Sequence, residues 1–269
     1  MKFTLAFSPC PNDTFIFDAL VNRKIDTEGI EFEVALEDVQ TLNEWALQGR
    51  MDFSKISYGV LHLVQNEYTL LNSGGALGMG VGPLLISNAA LDTNNYELLQ
   101  EWVNNHSIAI PGANTTAHLL FSLAFPNANN KIFKVFHEIE EAILSGEVEA
   151  GVIIHENRFT FTAKGLTQLI DLGKYWEDTQ QVPIPLGGII GKKNIDLNIV
   201  KKVDLLIQKS VQYAFEHYPA IAPYVSEHAQ EMSEEVMRKH INLYVNDFSI
   251  DLGENGRKAV AVLQSVRDA

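Results

Sequence analysis

The sequence predicts an α/β protein of two lobes, each with a mostly parallel sheet flanked by helices. Short apolar runs alternate with longer segments of helical period, which is typical of strand–helix–strand units. The chain has 269 residues, which is long for one domain and short for three. Two segments, at 80–88 and 183–193, combine Gly and Pro with an apolar run and indicate where the chain leaves the first lobe and returns to it.

We therefore predict a first lobe of residues 1–86 and 189–269 and a second lobe of residues 87–188. On the alternative interpretation, the two segments are central strands whose glycines permit close packing. The predicted strands are short apolar runs at 2–7, 30–36, 53–56, 83–87, 107–110, 150–154 and 186–190. The predicted helices have an apolar period near 3.6 and lie at 13–22, 39–49, 115–124, 134–145, 197–217 and 233–245.

One helix–glycine–strand pattern occurs twice, with its glycine at Gly49 and at Gly146. In each copy a helix stops at a glycine that is able to take the left-handed conformation, and a buried strand follows. Superposing the two glycines makes Ser57 and Ile154 equivalent, so corresponding strand ends should present Lys55 to Ser57 and His155. Convergence on a common turn is the alternative to an internal duplication.

Composition and charge exclude several classes of function. The chain has 34 acidic and 20 basic residues, and its formal net charge of −14 repels a phosphate backbone, so we expect no nucleic-acid partner. No apolar run is long enough to span a bilayer, and no secretory signal precedes the first strand, so we expect a cytoplasmic protein without a membrane partner. The single cysteine, Cys10, excludes an intrachain disulfide.

Sequence motifs for a cofactor are missing as well. Gly75, Gly78 and Gly80 have the wrong order for a dinucleotide-binding turn, and a strand rather than a helix follows them. The eight histidines are scattered and show no zinc-ligand spacing. We expect neither a cofactor nor a metal, and the sequence leaves the oligomeric state open.

Four strand ends carry polar side chains, and the first of them is the turn at 8–17. Its prolines fix the turn, and Asn12 or Asp13 is expected to cap the next helix and to face a ligand beyond the strand ends. A rigid turn without a ligand is the alternative. Nothing basic flanks Cys10, so an inert thiol is favoured over a nucleophile.

The second strand end carries Lys55, Ile56 and Ser57. Strand alternation puts Lys55 and Ser57 on the same side, where an amine and a hydroxyl suit an oxygen-rich ligand. The alternative is a surface lysine followed by a serine that caps a helix.

The third strand end leads into a helix through Thr115 and Thr116. Asn114 or Thr115 is expected at the N-cap, and a carboxylate placed there would gain the helix-terminus field and two hydroxyl donors. A simple threonine cap is the alternative.

The fourth strand end carries His155 directly after an apolar run. An imidazole titrates near neutrality and is able to accept a proton from a carbon or hydroxyl acid at physiological pH. Glu156 and Arg158 follow it and could orient it or the ligand. The alternative is a structural histidine that bonds to a backbone carbonyl.

Four sequence segments, in their order along the chain and with the spacing between them, resemble the 1,4-dihydroxy-6-naphthoate synthase family of the futalosine route to menaquinone. They are FSPCPNDTFIF at 7–17, DFSKISYG at 52–59, PGANTTAHLL at 111–120 and IIHENRFT at 153–160. The resemblance implies a two-lobed fold like that of periplasmic binding proteins of the second type, with a ligand cleft between the lobes. It also implies that His155 is the proton acceptor and that the substrate contacts Lys55, Ile56, Ser57, Thr115 and Thr116.

The implied activity is that of a lyase without a cofactor. Its substrate would be cyclic dehypoxanthine futalosine, a carboxylated aromatic with a sugar-derived ring, which is split to 1,4-dihydroxy-6-naphthoate and a small fragment. One rival is chorismate dehydratase of the same pathway, against which the SPCPNDTF block weighs. The other rival is a non-catalytic protein that binds or senses a small anion, because a fold does not fix a function.

Overall fold

A computed structural model describes residues 1–89, 91, 95–229 and 233–267. Within these residues it contains two mixed β-sheets, of six and five strands, with helices packed on them. In chain order the strands are β1 (Lys2–Phe7), β2 (Glu31–Leu36), β3 (Phe53–Ser57), β4 (Tyr68–Leu70), β5 (Ala76–Gly78), β6 (Leu84–Ser87), β7 (Ile108–Ile110), β8 (Lys131–Phe133), β9 (Ala150–Ile153), β10 (Thr167–Asp171) and β11 (Ile184–Lys192).

The helices cover the faces of both sheets and form the C-terminal part of the chain. They are α1 (Pro11–Val21), α2 (Val39–Leu47), α3 (Leu61–Val64), α4 (Tyr96–Asn105), α5 (Thr116–Ala124), α6 (Ile139–Leu144), α7 (Asn157–Thr160), α8 (Leu172–Gln180), α9 (Leu197–His217), α10 (Pro223–His228), α11 (Glu234–Tyr244), α12 (Asp247–Ile250) and α13 (Gly253–Arg267). Among the helices described, none is both long enough and apolar enough to cross a membrane.

The first sheet has the strand order β2-β1-β3-β11-β4, and β5 also pairs with β11. Strand β1 runs parallel to β2 and β3, whereas β11 runs antiparallel to β3, β4 and β5. All five residues of β3 are buried, as expected for a strand that is covered on both faces.

The second sheet has the strand order β10-β6-β9-β7-β8. Strand β7 runs parallel to β8 and β9, and β6 runs antiparallel to β9 and β10. In both sheets, therefore, the strand that the chain enters on arriving from the other sheet runs antiparallel to its neighbours. The chain passes from the first sheet to the second between Gly78 and Leu84 and returns between Asp171 and Ile184. The predicted lobe boundaries at 86/87 and 188/189 stay a prediction.

Two large apolar clusters stabilise this arrangement. One joins β1, α1 and α9 under the first sheet, where Ser210 of α9 donates to the carbonyl of Ile16 at 2.6 Å and accepts from the N–H of Leu20 at 3.1 Å. The other joins the second sheet to the C-terminal helix, since Leu263 packs in the same cluster as Leu85. The C-terminal helices thus pack against elements from both halves of the chain.

The helix–glycine–strand pattern seen twice in the sequence has the predicted geometry. Gly49 follows α2 with a φ of 63°, and Gly146 follows α6 with a φ of 76°. Both values lie in the left-handed region that glycine enters without steric cost, which confirms the predicted helix stops. Strands β3 and β9 follow, and each leads to a strand end that carries candidate residues.

Candidate active site

A pocket lies where the carboxyl ends of β1, β3, β7 and β9 approach one another. The eight residues predicted from the sequence all line it, and they are Asn12, Asp13, Lys55, Ile56, Ser57, Thr115, Thr116 and His155. Apolar side chains complete the walls, among them Val39, Val81, Leu186 and Tyr244. The space between the walls is about 670 Å³, part of it open to solvent. The pocket has the mixed lining of a small-molecule site, with a few polar groups among apolar ones.

Asp13 and Lys55 form a buried ion pair in the lining of the pocket. The Lys55 Nζ lies 2.8 Å from Asp13 Oδ1, and both side chains are almost fully buried. The ammonium also donates to the carbonyl of Gly74 at 3.1 Å, while Asp13 Oδ2 accepts from the N–H and the hydroxyl of Ser8 at 3.2 and 2.7 Å. Because an ammonium has three N–H groups, one remains for a ligand. The alternative of a surface lysine is therefore wrong for Lys55.

The first helix begins earlier than the sequence predicts. Cys10 is its N-cap residue and Pro11 is its first residue, and no side chain caps the helix. The expectation that Asn12 or Asp13 caps α1 is therefore wrong. Proline is favoured at the first position of a helix because its missing N–H costs nothing there. Asn12 and Asp13 consequently lie in the first turn, buried and turned towards the pocket.

Ser57 is held by Asn43, a residue of α2 that sequence reasoning missed. The Asn43 side chain accepts from the Ser57 N–H at 2.8 Å and donates to Ser57 Oγ at 3.0 Å. It also donates to the carbonyl of Asn114 at 2.8 Å, and Gln40 of the same helix accepts from the Asn114 N–H at 3.1 Å. Because Ser57 Oγ accepts from Asn43, its hydrogen can be donated to a ligand.

Thr115 and Thr116 form the start of α5, as the sequence predicts. Thr115 is the N-cap, and its hydroxyl accepts from the N–H of His118 at 3.1 Å. Both hydroxyls donate to backbone carbonyls, Thr115 to Gly112 at 2.9 Å and Thr116 to Leu186 at 2.8 Å. The donors available to an anion at this position are therefore the N–H groups of the first helical turn rather than the two hydroxyls.

His155 follows β9 with a φ of 58°, a left-handed conformation that is uncommon outside glycine. Its ring is half-buried and lies against Phe136 and His240, with ring centroids at 4.9 and 6.1 Å. Burial lowers the pKa of His155 to about 4, the negative charge of Asp13 opposes this shift, and the positive charge of Lys55 adds to it. His155 is therefore uncharged at neutral pH and able to accept a proton.

His240 is the second residue that sequence reasoning missed. It lies in α11, is completely buried, and its Nε2 is 2.9 Å from Asn12 Oδ1. The sequence contains one signal for it, because His240 falls on the buried face of the helix with Met237, Ile241 and Tyr244. A histidine within such an apolar stripe requires a buried partner.

Cys10, His155 and Glu156 form a group that could hold a metal ion. Among the described residues these three offer metal-ligating atoms within 4.8 Å of one another. Burial raises the pKa of the Cys10 thiol well above its usual value, which disfavours the thiolate that would bind a metal or act as a nucleophile. Arg158 bonds away from the group, to the carbonyl of Gly82 and to Asp171.

Comparisons with known proteins agree on one family. The model of a family described as menaquinone biosynthesis matches residues 3–267. A 1,4-dihydroxy-6-naphthoate synthase of Thermus thermophilus is 42% identical over 265 residues, which are 98% of this chain and 93% of the relative. A protein of the same name from Streptomyces coelicolor is 40% identical over 261 residues, which are 95% of this chain and 89% of the relative.

Solved structures agree on the fold. A protein from Archaeoglobus fulgidus matches with a TM-score of 0.91 and 27% identity, over 99% of this chain and 97% of that one. The periplasmic aliphatic sulphonate binding protein of Escherichia coli matches with a TM-score of 0.69 and 10% identity, over 99% of this chain and 90% of that one. The second likeness confirms the predicted α/β fold of the periplasmic-binding-protein type. At 10% identity it says nothing about the function of this chain.

The family match covers nearly the whole chain, and both curated relatives lie well above 30% identity. The chain therefore belongs to the menaquinone biosynthesis family, in the group of enzymes named 1,4-dihydroxy-6-naphthoate synthases.

Proposed function

We propose that the chain converts cyclic dehypoxanthine futalosine to 1,4-dihydroxy-6-naphthoate, with His155 as the general base. The observation that carries this proposal is the position of an uncharged imidazole at the end of β9, in the same pocket as the donors of Lys55 and Ser57. A base that follows β9 and anion donors at the end of β3 suit a substrate with a carboxylate at one end and an acidic proton at the other.

The substrate carboxylate is assigned to the donor side of the pocket. The third N–H of Lys55, the hydroxyl of Ser57 and the N–H groups at the start of α5 all belong to residues that line this side. Asp13 balances the charge of Lys55, so the carboxylate adds one negative charge to a nearly neutral group rather than to an acidic one. Val39, Val81 and Leu186 provide apolar contacts for the ring system.

The chemical step is assigned to His155. The imidazole accepts a proton from a substrate hydroxyl, and the electron pair left on that oxygen forms a carbonyl in the departing sugar-derived fragment. The electron pair of the carbon–carbon bond that breaks moves into the ring and completes its aromatic system, and the imidazolium returns the proton to a product oxygen. Aromatisation supplies the driving force, so the step requires neither a cofactor nor a metal. The low pKa of His155 keeps the base in its neutral, competent form over the physiological range.

The decisive experiment is incubation of the purified protein with cyclic dehypoxanthine futalosine and detection of the naphthoate by mass spectrometry. The matched control is His155→Asn, which keeps a similar shape and some hydrogen bonding but cannot accept the proton. Formation of the naphthoate by the wild type alone supports the proposal. Tight binding of the substrate without conversion would refute it and favour a binding or sensor protein, while turnover of chorismate instead would favour the dehydratase.

A further inference from the structure

His240 connects the C-terminal helix α11 to Asn12, one of the polar residues that line the pocket. It lies 228 positions from Asn12 in the sequence, and its Nε2 is 2.9 Å from Asn12 Oδ1. Its ring is parallel to that of His155, with an interplanar angle of 8°, and its centroid lies 4.6 Å from that of the Tyr244 ring. No part of the His240 side chain is exposed to solvent, so this contact forms away from water.

The hydrogen bonds around Asn12 determine which nitrogen of His240 carries the hydrogen. The amide nitrogen of Asn12 donates to Asp13 Oδ1 at 2.8 Å, and the same carboxylate oxygen accepts from Lys55 at 2.8 Å. The oxygen of the Asn12 amide therefore faces His240, and it is able only to accept. It follows that His240 Nε2 carries a hydrogen and donates it to Asn12.

The opposite orientation of the Asn12 amide would be unfavourable. It would bring an amide oxygen against Asp13 Oδ1 and an NH₂ group against His240, so two acceptors would meet in a buried site. Burial and the neighbouring His155 lower the pKa of His240 well below its usual value, so its ring is neutral and carries a single hydrogen. The ring's Nδ1 then faces Glu156 Oε2 at 3.7 Å, beyond hydrogen-bond distance.

We infer that His240 is a positioning residue of this active site, whose Nε2–H holds the Asn12 amide so that Asn12 and Lys55 together fix the Asp13 carboxylate. The inference rests on the proposed function of the pocket. It assigns His240 no contact with the substrate. Its effect passes through Asn12 to Asp13 and Lys55, the groups that set the anion-binding side, and so it should act on substrate binding more than on the chemical step.

Two substitutions at position 240 separate a specific hydrogen bond from simple packing. His240→Gln keeps an N–H donor near the place of Nε2, whereas His240→Leu fills the space without one. We expect KM to rise by about tenfold or more in the Leu variant and by less than about threefold in the Gln variant, with a smaller change in kcat, as for loss or retention of one buried hydrogen bond. Equal losses in the Gln and Leu variants would overturn the inference.

A double-mutant cycle with Asn12→Ala tests whether His240 acts through Asn12. In the Asn12→Ala background, His240→Leu should change KM by less than about twofold. The hydrogen bond between the two residues is already absent there, so the second substitution has no further bond to remove. Losses that multiply in the double variant would show that His240 acts by another route. Circular dichroism on each variant establishes that the fold is intact.

A spectroscopic measurement on the wild type covers the case in which the Leu variant does not fold. Long-range ¹H–¹⁵N correlation distinguishes the two neutral histidine tautomers, and we expect the Nε2–H form for His240. The Nδ1–H form would overturn the inference even if every variant is stable. Because this spectrum requires no turnover, failure of the proposed reaction and failure of this inference are separate outcomes.

Discussion

The acid side of the pH–rate profile is the most direct test of the role given to His155. A general base must be neutral to accept a proton, so the rate falls when the pH falls through the pKa of the base. The site lowers the pKa of His155 to about 4, chiefly through burial, whereas an ordinary histidine has a pKa of about 6.5. We therefore expect the acid limb far below the usual histidine range.

The expected difference is large enough to measure at a single pair of pH values. At about pH 5.5 an imidazole with a pKa near 4 is about 97% neutral, whereas one with a pKa near 6.5 is only about 9% neutral. The value of kcat/KM at about pH 5.5 should thus stay within about twofold of its value at about pH 7.5. An unperturbed histidine would reduce it about tenfold.

The assay is naphthoate formation at low substrate concentration, which reports the ionisation of the free enzyme. Lys55→Met provides an internal check, since the positive charge of Lys55 contributes to the lowered pKa of His155. The acid limb of this variant should move to higher pH even though its rate is lower. A tenfold fall of the wild-type rate by about pH 5.5, with the fold intact by circular dichroism, would refute the burial argument.

Three further substitutions have expected outcomes. His155→Asn should lower kcat by about 10²–10⁴-fold while substrate affinity by calorimetry changes little, since the anion donors lie elsewhere; a wild-type rate would transfer the role of base to another group. Thr116→Val removes the hydroxyl that accepts from the Gly59 N–H and donates to the Leu186 carbonyl, so the free energy of unfolding from chemical denaturation should fall by about 1–3 kcal/mol. An unchanged free energy of unfolding would contradict those bonds. Cys10→Ser should keep most of the turnover, also after dialysis against a chelator, and complete loss of activity would revive Cys10 as a nucleophile or metal ligand.

The sequence was sufficient to predict the strands that carry the site. Strands β7 and β9 are buried throughout and lack polar side chains, and β1 ends in a buried apolar run at 5–7. Strands β4, β5, β8 and β10 were missed. The first three have only three residues each and lack the wholly apolar run that marks β7, and β10 begins with the polar pair Thr167 and Gln168. Their place in the sheets depends on the partner strand, as for β5 beside β11, rather than on a local pattern.

The same distinction applies to the candidate site. Residues at strand ends, such as Lys55 and His155, could be predicted because each sheet presents the residues at the carboxyl ends of its parallel strands to a ligand, although Lys55 and His155 belong to different sheets. Asn43 and His240 could not, because each reaches the site from a helix and bonds to a residue that only tertiary packing brings near. The sequence predicts anion donors at the start of α5, but it does not predict that both threonine hydroxyls donate to backbone carbonyls instead. The orientation of a hydroxyl depends on the nearest carbonyl, which only the fold determines.

The division of the reactive groups between the two sheets has a consequence for how this enzyme could be impaired. Lys55 and Ser57 belong to β3 of the first sheet, and His155 follows β9 of the second. Neither sheet alone therefore carries both the anion donors and the base. Gln40 and Asn43 hold the backbone of Asn114 from opposite sides, between the two halves. Gln40 bonds to the Asn114 backbone rather than to Ser57, so substitutions of Gln40 should lower turnover while Lys55, Ser57 and His155 stay unchanged. Screening for inhibitors could extend to compounds that keep the halves apart.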